Sequence, residues 1–224
     1  MTALLLAEEL FLLAHDDESG KPGAVLALDN ALAGALLLDL AAVELVHAEG
    51  KSLTAVEGTP AHPLLAAAHA ELLASDAKRT AQHWVNHLPK ALKPLRDQVG
   101  RSLAERGVLS EERGKILGIF DTVRWPEIDP APEHELRSRL KHVLVYGNEA
   151  EARTELLIAL LSPLGLVREV VDKQHRKQAE HRAKDISQHS ATAGPTSAAV
   201  ARSVQAVQAA IVAAAIVPVI AVTT

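Results

Sequence analysis

The stretch Leu32-Ala33-Gly34-Ala35-Leu36-Leu37-Leu38-Asp39-Leu40 decides the fold class. It lies inside a longer segment, Val25 to Val46, in which Leu and Ala return at helical spacing, and these two residues stand among the best helix formers. The segment predicts the most buried helical packing of the fold. Gly34 marks a close approach between helices, and Asp29 or Asn30 stands near the helix start.

Toward the N-terminus, Thr2 to Ala14 carries Leu at 4, 5, 6, 10, 12 and 13 with Glu8 and Glu9 between them, which predicts an amphipathic helix begun near Thr2. Adjacent helical residues diverge by about 100°, so the two glutamates cannot act together on one atom as a general-acid pair. One of them is expected to cap the helix or to pair with a basic side chain. Asp16 to Gly23 is a polar loop, and Asp16-Asp17-Glu18 lacks the later oxygen ligands of a calcium loop.

Toward the C-terminus, Glu49 to Pro63 is rich in turn residues, with Lys51 to Val56 as a short strand. Helical spacing resumes over Pro63 to Ser75, Thr80 to Leu92 and Leu95 to Arg106, with Pro94 just before the last of these and Gly107 as its cap. The period then shortens toward 2, and Lys115 to Phe120 with Val123 to Pro126 predicts a β-hairpin. His134 to Tyr146, Glu149 to Leu161, Val167 to Ser187 and Ser197 to Val217 predict four more helices, with Ser190 to Thr196 as a linker. The expectation is a single all-α domain over residues 1–224: a central bundle, amphipathic helices around it, and one protruding β-hairpin.

Composition narrows the function. Of 224 residues 48% are hydrophobic and only 2% aromatic, so the core is aliphatic. A net charge of −5 argues against a general nucleic-acid binder, and any anion site must be a local patch. Without cysteine there are no disulfides, thiolate metal sites or cysteine nucleophiles. The apolar run Ala209 to Val222 falls short of the roughly 20 residues that cross a bilayer, contains Pro218 and lacks basic flanks. It is expected to be a core helix, and Met1 to Leu13 does not read as a secretory signal.

Catalytic signatures are missing: there is no Gly-rich phosphate loop, nucleophile elbow or zinc-protease helix, so no enzyme, cofactor or metal is expected. His83 and His87 share a helix face without a third ligand nearby and read as surface histidines, as do His175 and His181. The basic residues are more informative. Lys90, Lys93, Arg96, Arg101 and Arg106 fall in one stretch, and Lys93, Arg96 and Arg101 are expected to converge on one anion near the start of a helix, whose free amides favour phosphate. The plainer reading is a solvated basic face. A second basic run, Lys173 to Lys184, reads as a solvated helix.

The order of elements resembles the Golgi phosphoprotein 3 family. The carriers are Leu4 to Leu13, then Leu32 to Leu40, then Leu103-Ala104-Glu105-Arg106-Gly107-Val108-Leu109 leading into the hairpin, and the Val- and Ala-rich last helix. The resemblance implies a peripheral membrane protein that binds phosphatidylinositol 4-phosphate, or another anionic phospholipid headgroup, on the cytoplasmic side of a membrane and retains membrane-protein clients. It implies headgroup contacts at Lys93 and Arg96. The family's tryptophan and third basic residue would fall at Ala24 and Ala33, and with the Ala-rich composition these departures suggest a bacterial relative. The resemblance also links the hairpin to self-association, so Ile116, Leu117, Ile119, Phe120 and Trp125 are expected to contact a membrane or a second copy. A scaffold that forms homo-oligomers through this hairpin without binding lipid is the alternative.

Overall fold

In the computed structural model, described here for residues 3–16, 21–22, 27–50, 52–116, 120–189 and 198–216, the fold is organised around helix α2, Leu28–Ala42. Its apolar residues face every direction. Leu32, Ala33, Leu36, Leu37 and Leu40 are all fully buried, as expected for a helix without a polar face. Packed against it are α1 (Leu6–Leu13), α3 (Pro63–Leu73), α4 (Ala81–Ala91), α5 (Leu95–Glu105), α7 (Ala152–Leu161) and α9 (Ala198–Ile216). Two further helices, α6 (Ala131–Leu144) and α8 (Arg176–His189), complete the shell.

Gly34 does what its position predicted. A Cβ there would lie 2.4 Å from Ile211 Cδ1, so α2 and α9 meet where one of them has no side chain. Val207, Ala210, Ile211 and Ala214 are buried in this contact, which makes the Ala-rich helix part of the core through Ala214. The expected continuation beyond Ile216 lies outside the described residues, as do the linker 190–197 and Ala24.

Three small antiparallel sheets accompany the helices. β1 (His15–Asp16) pairs with β2 (Lys21–Pro22), a short ladder in what reads as a polar loop. β3 (Val46–Glu49), β4 (Ser52–Ala55) and β5 (Arg79–Thr80) form the second sheet in that order. It is tied to α9 where the Ala48 N–H donates to Ser203 Oγ at 2.7 Å. β6 (Glu112–Ile116) and β7 (Phe120–Arg124) form the expected hairpin, in register from Glu112 with Arg124 to Ile116 with Phe120. The mainly helical class and the hairpin are therefore as anticipated.

The helix starts that differ most from expectation are those of α1 and α8. α1 begins at Leu6 rather than near Thr2, because the Glu8 carboxylate accepts the Leu5 N–H at 2.8 Å and closes the first turn there. The stretch from Val167 is not continuous helix. Short 3-10 turns at Leu166–Arg168 and Lys173–His175 turn the chain, burying Val167, Val170 and Val171, before α8 starts at Arg176.

One polar cluster is built into the core. Glu9 and Asp39 are 4% and 5% exposed. Arg153 reaches both, with Nε 3.2 Å from Glu9 Oε1 and Nη1 3.2 Å from Asp39 Oδ1, and it also donates to the Leu4 carbonyl. Arg139 adds a contact to Glu9 at 3.1 Å, and Asp39 Oδ2 accepts the Leu6 N–H at 2.8 Å. The cluster fastens α6 and α7 to α1 and α2. Burial pushes the Asp39 carboxyl up to about 6, against the opposing pull of Arg153.

Candidate functional site

Helix α5 carries the basic residues, and its start is shaped by Pro94. Pro94 occupies the cap position, where its missing N–H costs nothing, and no side chain caps the first turn. Leu92 and Leu95 are buried on either side, which leaves Lys93 exposed between them. Gln98 steadies the corner by donating from Nε2 to the Leu92 carbonyl at 3.1 Å.

Two clefts open beside Lys93. The smaller, about 530 Å³, is lined by Asp29, Lys93, Arg96 and Asp97. Arg96 Nε lies 2.6 Å from Asp29 Oδ1. Burial raises the Asp97 carboxyl above its ordinary range, opposed chiefly by Arg101. Lys93 has no carboxylate partner among the described residues.

The larger cleft, about 880 Å³, is lined by Lys93, Gln98, Arg101 and Arg106 and by the aliphatic Leu5, Val43, Leu45, Leu64 and Leu65. Its lining includes a hydroxyl, Ser102, and an imidazole, His62, with the buried Glu8 carboxylate behind them. The Ser102 hydroxyl donates to Glu8 Oε1 at 2.6 Å, and His62 Nε2 lies 3.3 Å from Ser102 Oγ and 3.6 Å from Glu8 Oε1. His62 also caps α3, its Nδ1 accepting the Leu64 N–H at 3.2 Å. A nitrogen that accepts an amide hydrogen carries no proton, so the neutral ring bears its proton on Nε2. That nitrogen cannot take the Ser102 proton as a general base would, and the trio does not make an activated nucleophile. Arg106 Nη1 sits 3.5 Å from the fully buried Glu8.

The expected convergence of Lys93, Arg96 and Arg101 is corrected in one respect. Lys93 borders both clefts, but Arg96 faces the smaller and Arg101 the larger. Five residues along a helix turn the side-chain direction by about 140°, so these two arginines cannot share one anion. Arg101 instead approaches Glu111 at 3.7 Å.

Trp125 is also corrected. It is completely buried, so it offers no surface to a membrane or a second copy. A Cβ on Gly100 would fall 2.4 Å from its ring, so the indole occupies the notch of a helical glycine. Ile116 and Phe120 pair across the hairpin, and Leu117 and Ile119 lie outside the described residues.

His83 and His87 stack at 5.4 Å between ring centroids, and His87 lies 3.5 Å from Glu71. Among the described residues no group of three or more side chains could hold a metal ion. No described helix is long and apolar enough to cross a membrane.

The family model for Golgi phosphoprotein 3 (GPP34) matches residues 6–207. The chain belongs to the Golgi phosphoprotein 3 family. A search of curated proteins finds no match. The matched region runs from α1 into α9 and includes the hairpin, the smaller cleft and the larger cleft apart from Ala3 and Leu5. Membership links the fold in general terms to lipid binding.

The expected pair Lys93 and Arg96 lines the smaller cleft, whereas the Glu8, His62 and Ser102 trio had no counterpart in the sequence pattern. Glu8 and His62 stand 94 and 40 positions from Ser102 along the chain, and no local pattern joins them. Two signals pointed to the buried ion cluster. One was the expectation that Glu8 or Glu9 caps or pairs with a basic side chain, met by Glu8 at the Leu5 N–H and by Glu9 with Arg139 and Arg153. The other was Asp39, a single acid inside an apolar helix.

Proposed function

We propose that the protein is a peripheral membrane adaptor that binds the phosphate of an anionic phospholipid headgroup, of the phosphatidylinositol 4-phosphate kind, at the start of α5. The carrying observation is Lys93: an exposed cation without a carboxylate partner among the described residues, placed at a helix start that no side chain caps. Open amides and a cation at one point favour a phosphate. Arg96 is the second contact and turns from Asp29 to the headgroup on binding.

The protein acts at the cytoplasmic face of the membrane and without catalysis. The hairpin, whose Glu112 to Lys115 strand is exposed, is the part that reaches a second copy or a membrane-protein client. Flotation with phosphatidylcholine vesicles containing phosphatidylinositol 4-phosphate tests the headgroup reading. Losing two charge-assisted contacts in the Lys93→Ala/Arg96→Ala variant lowers the affinity at least about tenfold, more at low salt than at moderate salt. Equal binding by both proteins removes these residues from the role.

A further inference from the structure

We propose that the larger cleft is a second binding site, for a small amphiphilic anion with an apolar body and a carboxylate or phosphate end. Its volume, about 880 Å³, lies within the roughly 300–1,000 Å³ range of small-molecule sites. The lining combines two chemistries. Leu5, Val43, Leu45, Leu64 and Leu65 give it an aliphatic wall, and α5 with the residues flanking it gives it a polar one.

Charge selects the sign of the polar end. Lys93, Arg101 and Arg106 line the cleft with one carboxylate, Glu105, in a protein whose total charge is −5. Arg106 is engaged by the buried Glu8 at 3.5 Å and Arg101 approaches Glu111 at 3.7 Å, so Lys93, without a carboxylate partner among the described residues, is the first cation to meet an anion and the half-exposed Arg101 the second. Gln98 and Arg101, three residues apart on α5, present neighbouring side chains on one helix face.

The apolar wall supplies the rest of the recognition. Val43 is 55% exposed, a large aliphatic side chain left to solvent at the cleft. An occupant lying between the walls covers Val43 and places its anionic end at Arg101. A simple inorganic phosphate uses only one wall, and an uncharged hydrocarbon only the other. The site shares Lys93 with the headgroup reading and is told apart from it by Arg96 and Asp29, which line only the other cleft.

Isothermal titration of the full chain with decanoate and with decyl phosphate, both below their micelle concentrations, tests the site. The variants are Arg101→Gln and Val43→Asp, both at exposed positions, with Arg96→Ala as the control. Wild type binds both amphiphiles. Arg101→Gln and Val43→Asp each weaken binding about tenfold, while Arg96→Ala changes it by less than about twofold. Lack of binding by wild type, or binding by both variants equal to wild type, overturns the proposal. Flotation of Arg101→Gln with phosphatidylglycerol vesicles then separates two sources of the same chemistry. Weakened flotation identifies a bilayer lipid as the occupant, and unchanged flotation with weakened decanoate binding identifies a free amphiphile.

Discussion

Replacing Asp39 by asparagine tests the buried ion cluster through the pH dependence of stability. In the unfolded chain the carboxyl titrates near 3.8, and in the folded protein burial raises this to about 6. The folded state therefore holds a proton that the unfolded chain has already released between these values. A group with a raised folded-state value contributes stability that is complete below the unfolded value and is lost as pH climbs through the folded one. The gap between the two values corresponds to about 3 kcal/mol. The asparagine keeps an oxygen for the Leu6 N–H but cannot titrate, so that limb disappears. Urea denaturation followed by circular dichroism, at several pH values from about 4 to about 7, gives the difference in unfolding free energy between variant and wild type. That difference shifts in favour of the variant by about 3 kcal/mol across the interval. A constant difference, or one moving the other way, means that burial does not control Asp39 and refutes the account of the cluster.

Three further changes test other parts of the structure. Arg153→Ala leaves Glu9 and Asp39 buried without their shared cation, and the unfolding free energy drops by about 3–5 kcal/mol in a denaturant titration; a loss below about 1 kcal/mol means the pair is not held by charge. Gly100→Ala drives a methyl into the Trp125 ring and costs about 1–3 kcal/mol, visible as a lower melting temperature with red-shifted tryptophan emission. Asp29→Asn releases Arg96 and strengthens vesicle binding several-fold, roughly the value of one weak ion pair. Unchanged flotation would show that Arg96 does not leave Asp29 for a headgroup.

The helices were legible because their information is local. Leu and Ala at helical spacing marked α2, a glycine inside that run marked its contact with α9, and Pro94 and Gly107 bracketed α5. The register of side chains around α5 was less legible. Proximity in sequence suggested that Lys93, Arg96 and Arg101 meet, but helical rotation sends the two arginines into different clefts. Trp125 read as a surface aromatic because its burial depends on Gly100, a distant residue whose missing side chain leaves no pattern of its own. The stretch from Val167 to Val171 had apolar residues suited to a helix, and packing turned them inward through short turns instead. The clefts were the least legible, since their walls combine α1, the α2–β3 corner, the start of α3 and all of α5.

The indole seated in the Gly100 notch has a mechanical consequence. Trp125 follows directly on strand β7, so the root of the hairpin is wedged against the middle of the helix whose opposite flanks form the two clefts. A load on the hairpin would therefore bear on the same helix that carries Arg96 and Arg101.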